Sequence, residues 1–114
     1  TAEATLEAVR DGQTFEMVMA RPLYDEVRGA PRLADLYRDL LRAGATMYLE
    51  PDGTDISWAI ALCDDIAAMA GYDEQRSFRV GVESRADPVR RWVRETYTDL
   101  RADSRQLTPA DFGN

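Results

Sequence analysis

The chain has 114 residues, of which 45% are hydrophobic and 31% charged, with a formal net charge of −7. At this length a single domain is expected, able to bury most of its apolar surface without staples. There is no histidine and no lysine, all 14 basic residues being arginine. Ser/His and Cys/His nucleophilic systems, histidine-based metal sites, Schiff-base chemistry and a phosphate-loop lysine are thereby excluded.

The acidic balance argues against this domain binding a nucleic-acid backbone, which demands clustered positive charge. No run approaches the roughly 18 apolar residues of a membrane span, and no leader pattern opens the sequence. The single cysteine, Cys63, excludes an internal disulfide. The expectation is a soluble, cytoplasmic protein with no cofactor and no membrane attachment. Because the first residue is Thr1, the chain reads as processed or as part of something longer.

In chain order, Thr1 to Arg10 reads as a short helix with Leu6 and Val9 inward, closed by Asp11-Gly12. Thr14 is placed to cap a second helix carrying Phe15, Val18 and Met19. Pro22 interrupts it by removing an amide donor, and Leu23, Tyr24 and Val27 continue it to Gly29. Pro31 opens a third helix running to Ala43, in which Leu33, Leu36, Tyr37, Leu40 and Leu41 fall on one face. Arg32, Asp35, Arg38, Asp39 and Arg42 lace its outer face. The segment Pro22 to Leu41, with its Pro-Leu-Tyr-Asp-x-Val-Arg-x-x-Pro-Arg-Leu-x-x-Leu pattern, resembles the closing helices of some tetratricopeptide arrays in bacterial regulators. No second copy follows at a period of about 34 residues.

Ala45 to Glu50 reads either as a short strand or as one more turn of the preceding helix, and Pro51-Asp52-Gly53 as a turn. The stretch from Asp55 to Gly71 is the most apolar in the chain. With Thr54 and Asp55 as N-caps and Gly71 as stop, it predicts a central helix whose apolar surface covers most of its circumference, broken by Ser57, Asp64 and Asp65. Ser77 to Glu83 alternates Phe78, Val80 and Val82 against Arg79, Gly81 and Glu83, which favours a strand pairing with the 46–50 segment. A helix from Asp73 to Arg85 is the alternative. The run between Ala45 and Glu74, through Pro-Asp-Gly to Gly-Tyr-Asp-Glu, resembles the middle of a PAS sensory domain, but the further strands of that fold are not visible after Glu83.

Asp87-Pro88 starts a last helix with Val89, Trp92, Val93, Tyr97 and Leu100 inward and Arg90, Arg94 and Arg101 on a second stripe. The fold predicted is mainly α: a single-domain bundle of four or five helices around a central apolar helix (55–70), with one short two-stranded β element (46–50 with 77–83). Residues 1–101 form the domain, and 102–114 a polar tail that reads as cut short.

Asp64 and Asp65, followed by Asp73 and Glu74, are the best candidates for a divalent-ion site, since hard cations want several converging oxygen ligands, but adjacent aspartates on a helix point about 100° apart. No metal site is predicted. Arg90, Arg91 and Arg94 are suited to hold a carboxylate or phosphate, against the alternative of pairing with Asp87 and Glu95. From Thr1 to Asp73 there are 14 acidic and 6 basic residues, net −8; from Glu74 onward 7 acidic and 8 basic, net +1. Such opposite poles suit self-association.

The function expected is a non-catalytic regulatory or protein-interaction domain, a homodimer or bound to another protein. The alternative is a sensor domain of a bacterial regulator binding a small apolar ligand. In that sensor Trp58, Leu62, Met69, Trp92 and Tyr97 line the site and Arg94 anchors a polar group.

Overall fold

The computed structural model describes residues 2–51, 57–64, 66–73 and 78–113. Its elements run α1 (Ala2–Arg10), β1 (Phe15–Met19), α2 (Arg21–Arg28), α3 (Pro31–Arg42), β2 (Thr46–Leu49), β3 (Ser57–Cys63), β4 (Ala67–Tyr72), β5 (Phe78–Ser84), α4 (Asp87–Ala102) and β6 (Arg105–Gln106), then a 3-10 turn over Pro109–Phe112. The six strands form one mixed sheet in the order β5-β4-β3-β1-β2-β6. This overturns the expected helical bundle.

The largest correction concerns the stretch predicted as the central helix over 55–70. It is an antiparallel hairpin, β3 with β4, in which Ile60 pairs with Met69, Leu62 with Ala67 and Trp58 with Gly71. Its large residues Trp58, Ile60 and Leu62 point to one side of the sheet, while Ala61 and Cys63 pack on the other. Both sets are apolar, so the polar alternation that marks a half-exposed strand is missing. Gly71, read as a helix stop, sits opposite Trp58 in the ladder. The amide of Cys63 donates to the carbonyl of Ile66 and closes the hairpin, with Asp64 at the bend.

The second expected helix also divides. Phe15–Met19 is strand β1, and only the part from Arg21 is helical, with Pro22 in the first turn of α2, where its missing amide costs nothing. Thr46–Leu49 and Phe78–Ser84 are strands, but they do not pair with each other: β2 lies between β1 and β6, and β5 lies on β4. The expected turn at Pro51-Asp52-Gly53, the caps Thr54 and Asp55, and the carboxylates Asp65 and Glu74 fall partly or wholly outside the described residues.

Helices α1, α3 and α4 lie where their periodicity places them. The turn out of α3 is set by Gly44 at φ +118, with the Ala45 amide donating to Leu40 and the Gly44 amide to Leu41. This is a Schellman ending, for which a residue without Cβ is preferred. Parallel pairing of β1 with β2 needs a crossover, and α2 and α3 supply it.

The sheet is covered on both faces. Helix α4 lies on one, where Val93 and Tyr97 pack on Val18, Ile60, Leu62 and Met69. On the other, α1, α2 and α3 cover Phe15, Met17, Met19, Met47 and Leu49. The segment expected as a polar tail contributes Leu107 and Phe112 to this second core, with the Leu107 amide donating to the Met47 carbonyl at 2.8 Å. Among the described residues no helix is long and apolar enough to cross a membrane.

Ile60 is 0% exposed and lies between the β1 and β4 partners of β3. Truncating it to alanine is expected to cost about 2–5 kcal/mol of unfolding free energy. Urea denaturation is expected to show a lower midpoint with an unchanged slope.

Candidate functional site

The first two turns of α4 lie beside the β3–β4 bend, and their side chains form a cleft of about 400 Å³ with it. Leu62, Cys63 and Ile66 supply an apolar floor, and Asp87, Arg90, Arg91 and Arg94 the rim. Helical spacing explains the rim: Arg90 and Arg94 are one turn apart on a single flank, with Arg91 a step around the helix.

That flank is tied to the sheet at two points. Arg90 donates from Nη2 to the Asp64 carbonyl at 3.0 Å and from Nη1 to Asp87 Oδ1 at 3.2 Å. Arg94 Nη1 reaches Glu16 Oε2 of β1 at 3.5 Å, and the Tyr97 hydroxyl lies 3.4 Å from the other oxygen of the same carboxylate. Burial, and after it the Glu16 carboxylate, pushes the Tyr97 phenol up to about 12, so it remains a neutral donor. Arg91 is exposed and forms no ion pair among the described residues.

Asp64 fixes the bend from the other side. Its Oδ1 accepts from both the hydroxyl and the backbone amide of Thr14, which precedes β1. The Thr14 hydroxyl, with the amide adding to it, holds the Asp64 carboxyl below the ordinary aspartate range. On the far side of Arg94 a shallow depression of about 600 Å³ runs past Gly12, Glu16, Gly44 and Thr46, so this arginine borders two cavities.

The opposite face of the sheet has a groove of about 450 Å³, floored by Ala59, Ala61, Ala68 and Ala70 and walled by Leu23 and Tyr72. It has an apolar floor but no cation. Glu50, the one buried charged residue among those described, accepts the Arg21 amide at 2.8 Å at the start of α2. A carboxylate at a helix N-terminus is favoured by the macrodipole, and Glu50 serves as an anchor of the fold.

Of the residues singled out from the sequence, Leu62 and Arg94 line the same cleft. Trp58, Met69 and Tyr97 are packed into the core between α4 and the sheet. Trp92 is 56% exposed and lines none of these cavities. Sequence reasoning missed Ile66 and the Thr14–Asp64–Glu16 framework. Thr14 and Asp64 are 50 positions apart, so no local pattern signals them. Cys63, expected mid-helix, borders the cleft from a strand end. Among the described residues, which exclude Asp65 and Glu74, no three His, Cys, Asp or Glu side chains converge.

The Asp64 contact has a definite pH signature. Its carboxyl releases its proton more readily folded than unfolded, so its stabilising contribution is present above the ordinary aspartate range. It is lost as the pH falls through the lowered folded value. In Thr14→Val the backbone amide remains but the hydroxyl donor is gone. The Asp64 titration midpoint, followed by carboxyl NMR, is expected to rise towards the ordinary value without reaching it.

Residues 1–103 match the family described as the methanogenesis regulatory protein FilR1, middle domain. No curated protein and no solved structure matches the chain. The match covers most of the sequence, from α1 through α4: the chain belongs to the FilR1 middle-domain family and is a regulatory domain.

Proposed function

We propose that this regulatory domain senses a small organic anion, held in the cleft between α4 and the β3–β4 bend. The observation that carries the reading is the convergence of Arg90, Arg91 and Arg94 on the rim of a cleft whose floor is Leu62, Cys63 and Ile66. Guanidinium groups bind carboxylates and phosphates through paired donors, and an apolar floor adds affinity for a short hydrocarbon group. The cleft also adjoins the N-terminal turns of α4, where the helix dipole favours negative charge. Proton-transfer chemistry near neutral pH is poorly served, because the chain has no histidine.

The same contacts supply a route for the signal. Arg90 holds the Asp64 carbonyl and Arg94 holds Glu16. A ligand that recruits either guanidinium exchanges a tie between α4 and the sheet for a tie to itself. It thereby favours whichever placement of α4 binds it better.

Thermal melting against a panel of short-chain carboxylates and phosphate monoesters tests the proposal. At least one member is expected to raise the melting temperature, as binding confined to the folded state must. Arg91→Ala should leave unliganded melting unchanged, because the side chain is exposed, and weaken binding about tenfold, or roughly 1.4 kcal/mol. Absence of any stabilising compound, or affinity indifferent to both Arg91→Ala and Arg94→Ala, would refute the assignment.

A further inference from the structure

We infer that the anion site proposed above, on which this rests, selects a singly charged carboxylate on an apolar chain over phosphate monoesters and dicarboxylates, with Asp87 and Glu16 setting the preference. The three rim arginines are unequal. Both terminal nitrogens of Arg90 are engaged, Nη1 with Asp87 Oδ1 at 3.2 Å and Nη2 with the Asp64 carbonyl at 3.0 Å. Arg94 Nη1 faces Glu16 Oε2 at 3.5 Å. Arg91 is exposed and lies in no ion pair among the described residues. Two of the guanidinium groups thus have a carboxylate each. Among the described residues, the rim is left with one positive charge that lacks a counter-charge.

A guanidinium fork matches the two oxygens of one carboxylate. A phosphate monoester instead carries about −1.5 to −2 charges near neutral pH. A dicarboxylate likewise brings a second full charge. To meet it, Arg90 or Arg94 must leave Asp87 or Glu16, and the abandoned carboxylate then stands beside the ligand. A further carboxylate, Asp64, is held at the bend by Thr14. Like charges near an apolar floor repel more strongly than in bulk water. The helix dipole does not make up the difference: it is worth about half a charge at the N-terminus. Asp87 in the first turn of α4 already takes it up.

The floor defines the rest of the ligand. Leu62, Cys63 and Ile66 line it, so beyond its carboxylate the ligand gains from hydrocarbon and not from a second polar end. Each fully buried methylene tightens binding by about fourfold.

Isothermal titration of the 114-residue chain near neutral pH with butanoate, pentanoate, glutarate and butyl phosphate tests the selectivity. The last three probes are similar in length and differ in charge. Pentanoate is expected to bind at least tenfold more tightly than glutarate or butyl phosphate, and about fourfold more tightly than butanoate. Asp87→Asn keeps an acceptor for Arg90 but removes the charge, and should shift the preference towards glutarate and butyl phosphate by at least tenfold. Glu16→Gln weakens the hold on Arg94 and should shift it the same way; it decides the matter should Asp87→Asn fail to fold. Glutarate or butyl phosphate bound by the wild-type chain as tightly as pentanoate overturns the charge selectivity and leaves the anion site standing. A preference unmoved by either variant overturns the roles of Asp87 and Glu16. Failure of all four probes overturns the inference, and the wider panel of carboxylates and phosphate monoesters then shows whether the anion site falls with it.

Discussion

Strand β1 is the constraint on which the rest of the structure depends. Four of its five residues pair in parallel with β2 and four pair antiparallel with β3, so the strand lies inside the sheet with a neighbour on each edge. A strand so placed is excluded from water on both faces, and its sequence complies: Val18 points towards α4 and Met17 and Met19 towards the opposite layer, all buried. The parallel pairing forces a crossover and hence the α2–α3 pair. The antiparallel pairing extends the sheet through the β3–β4 hairpin to β5. The one polar side chain of β1, Glu16, faces α4, and that is where Arg94 and Tyr97 approach it.

The cleft follows from the same constraint. The head of β1 holds the bend between β3 and β4 through Thr14 and Asp64, and α4 crosses above it with arginines at one-turn spacing. The net charge of −7 makes the domain as a whole unfavourable to anions at long range. The anion binding proposed for the cleft would therefore be local, through guanidinium groups near a desolvating floor, where charge interactions are stronger than in bulk water. The charge asymmetry of the sequence, net −8 before Glu74 and +1 after it, now has a place in the fold. The basic part contains β5 and α4, and the three rim arginines lie within two turns of the latter.

What the sequence made legible were the elements with one wet face. α3 and α4 carry an apolar stripe at helical spacing with proline in the first turn, and both lie where those signals place them. The hairpin and β1 were illegible by polarity because both faces of the hairpin carry apolar residues and β1 is almost wholly buried. Alanine-rich stretches favour helix by propensity, and an all-round apolar stretch satisfies a buried helix as well as a buried strand. A weaker signal was present in size: Trp58, Ile60 and Leu62 alternate with Ala59, Ala61 and Cys63, a period of two that polarity does not show. The cleft was half legible. Arg90, Arg91 and Arg94 are neighbours on any helix, whereas their apolar floor and the Thr14–Asp64 tie depend on a fold in which distant segments meet.

Helix α4 is the element through which these features act on one another. It is sixteen residues long, and its inward stripe, Val93 and Tyr97, is packed without exposure against the sheet. One flank carries the arginines that reach Asp64 and Glu16, and the opposite flank carries Trp92. A helix packed at interior density moves as a body, since its buried stripe cannot slide by fractions of a side chain without opening voids. A change in the contacts of Arg90 or Arg94 is therefore resisted by Val93 and Tyr97 or transmitted whole to the side of the sheet where β4 and β5 lie. The Tyr97 hydroxyl lies beside the Glu16 carboxylate that Arg94 also approaches, so shifting the helix would draw a neutral phenol away from that carboxylate and leave both less well paired.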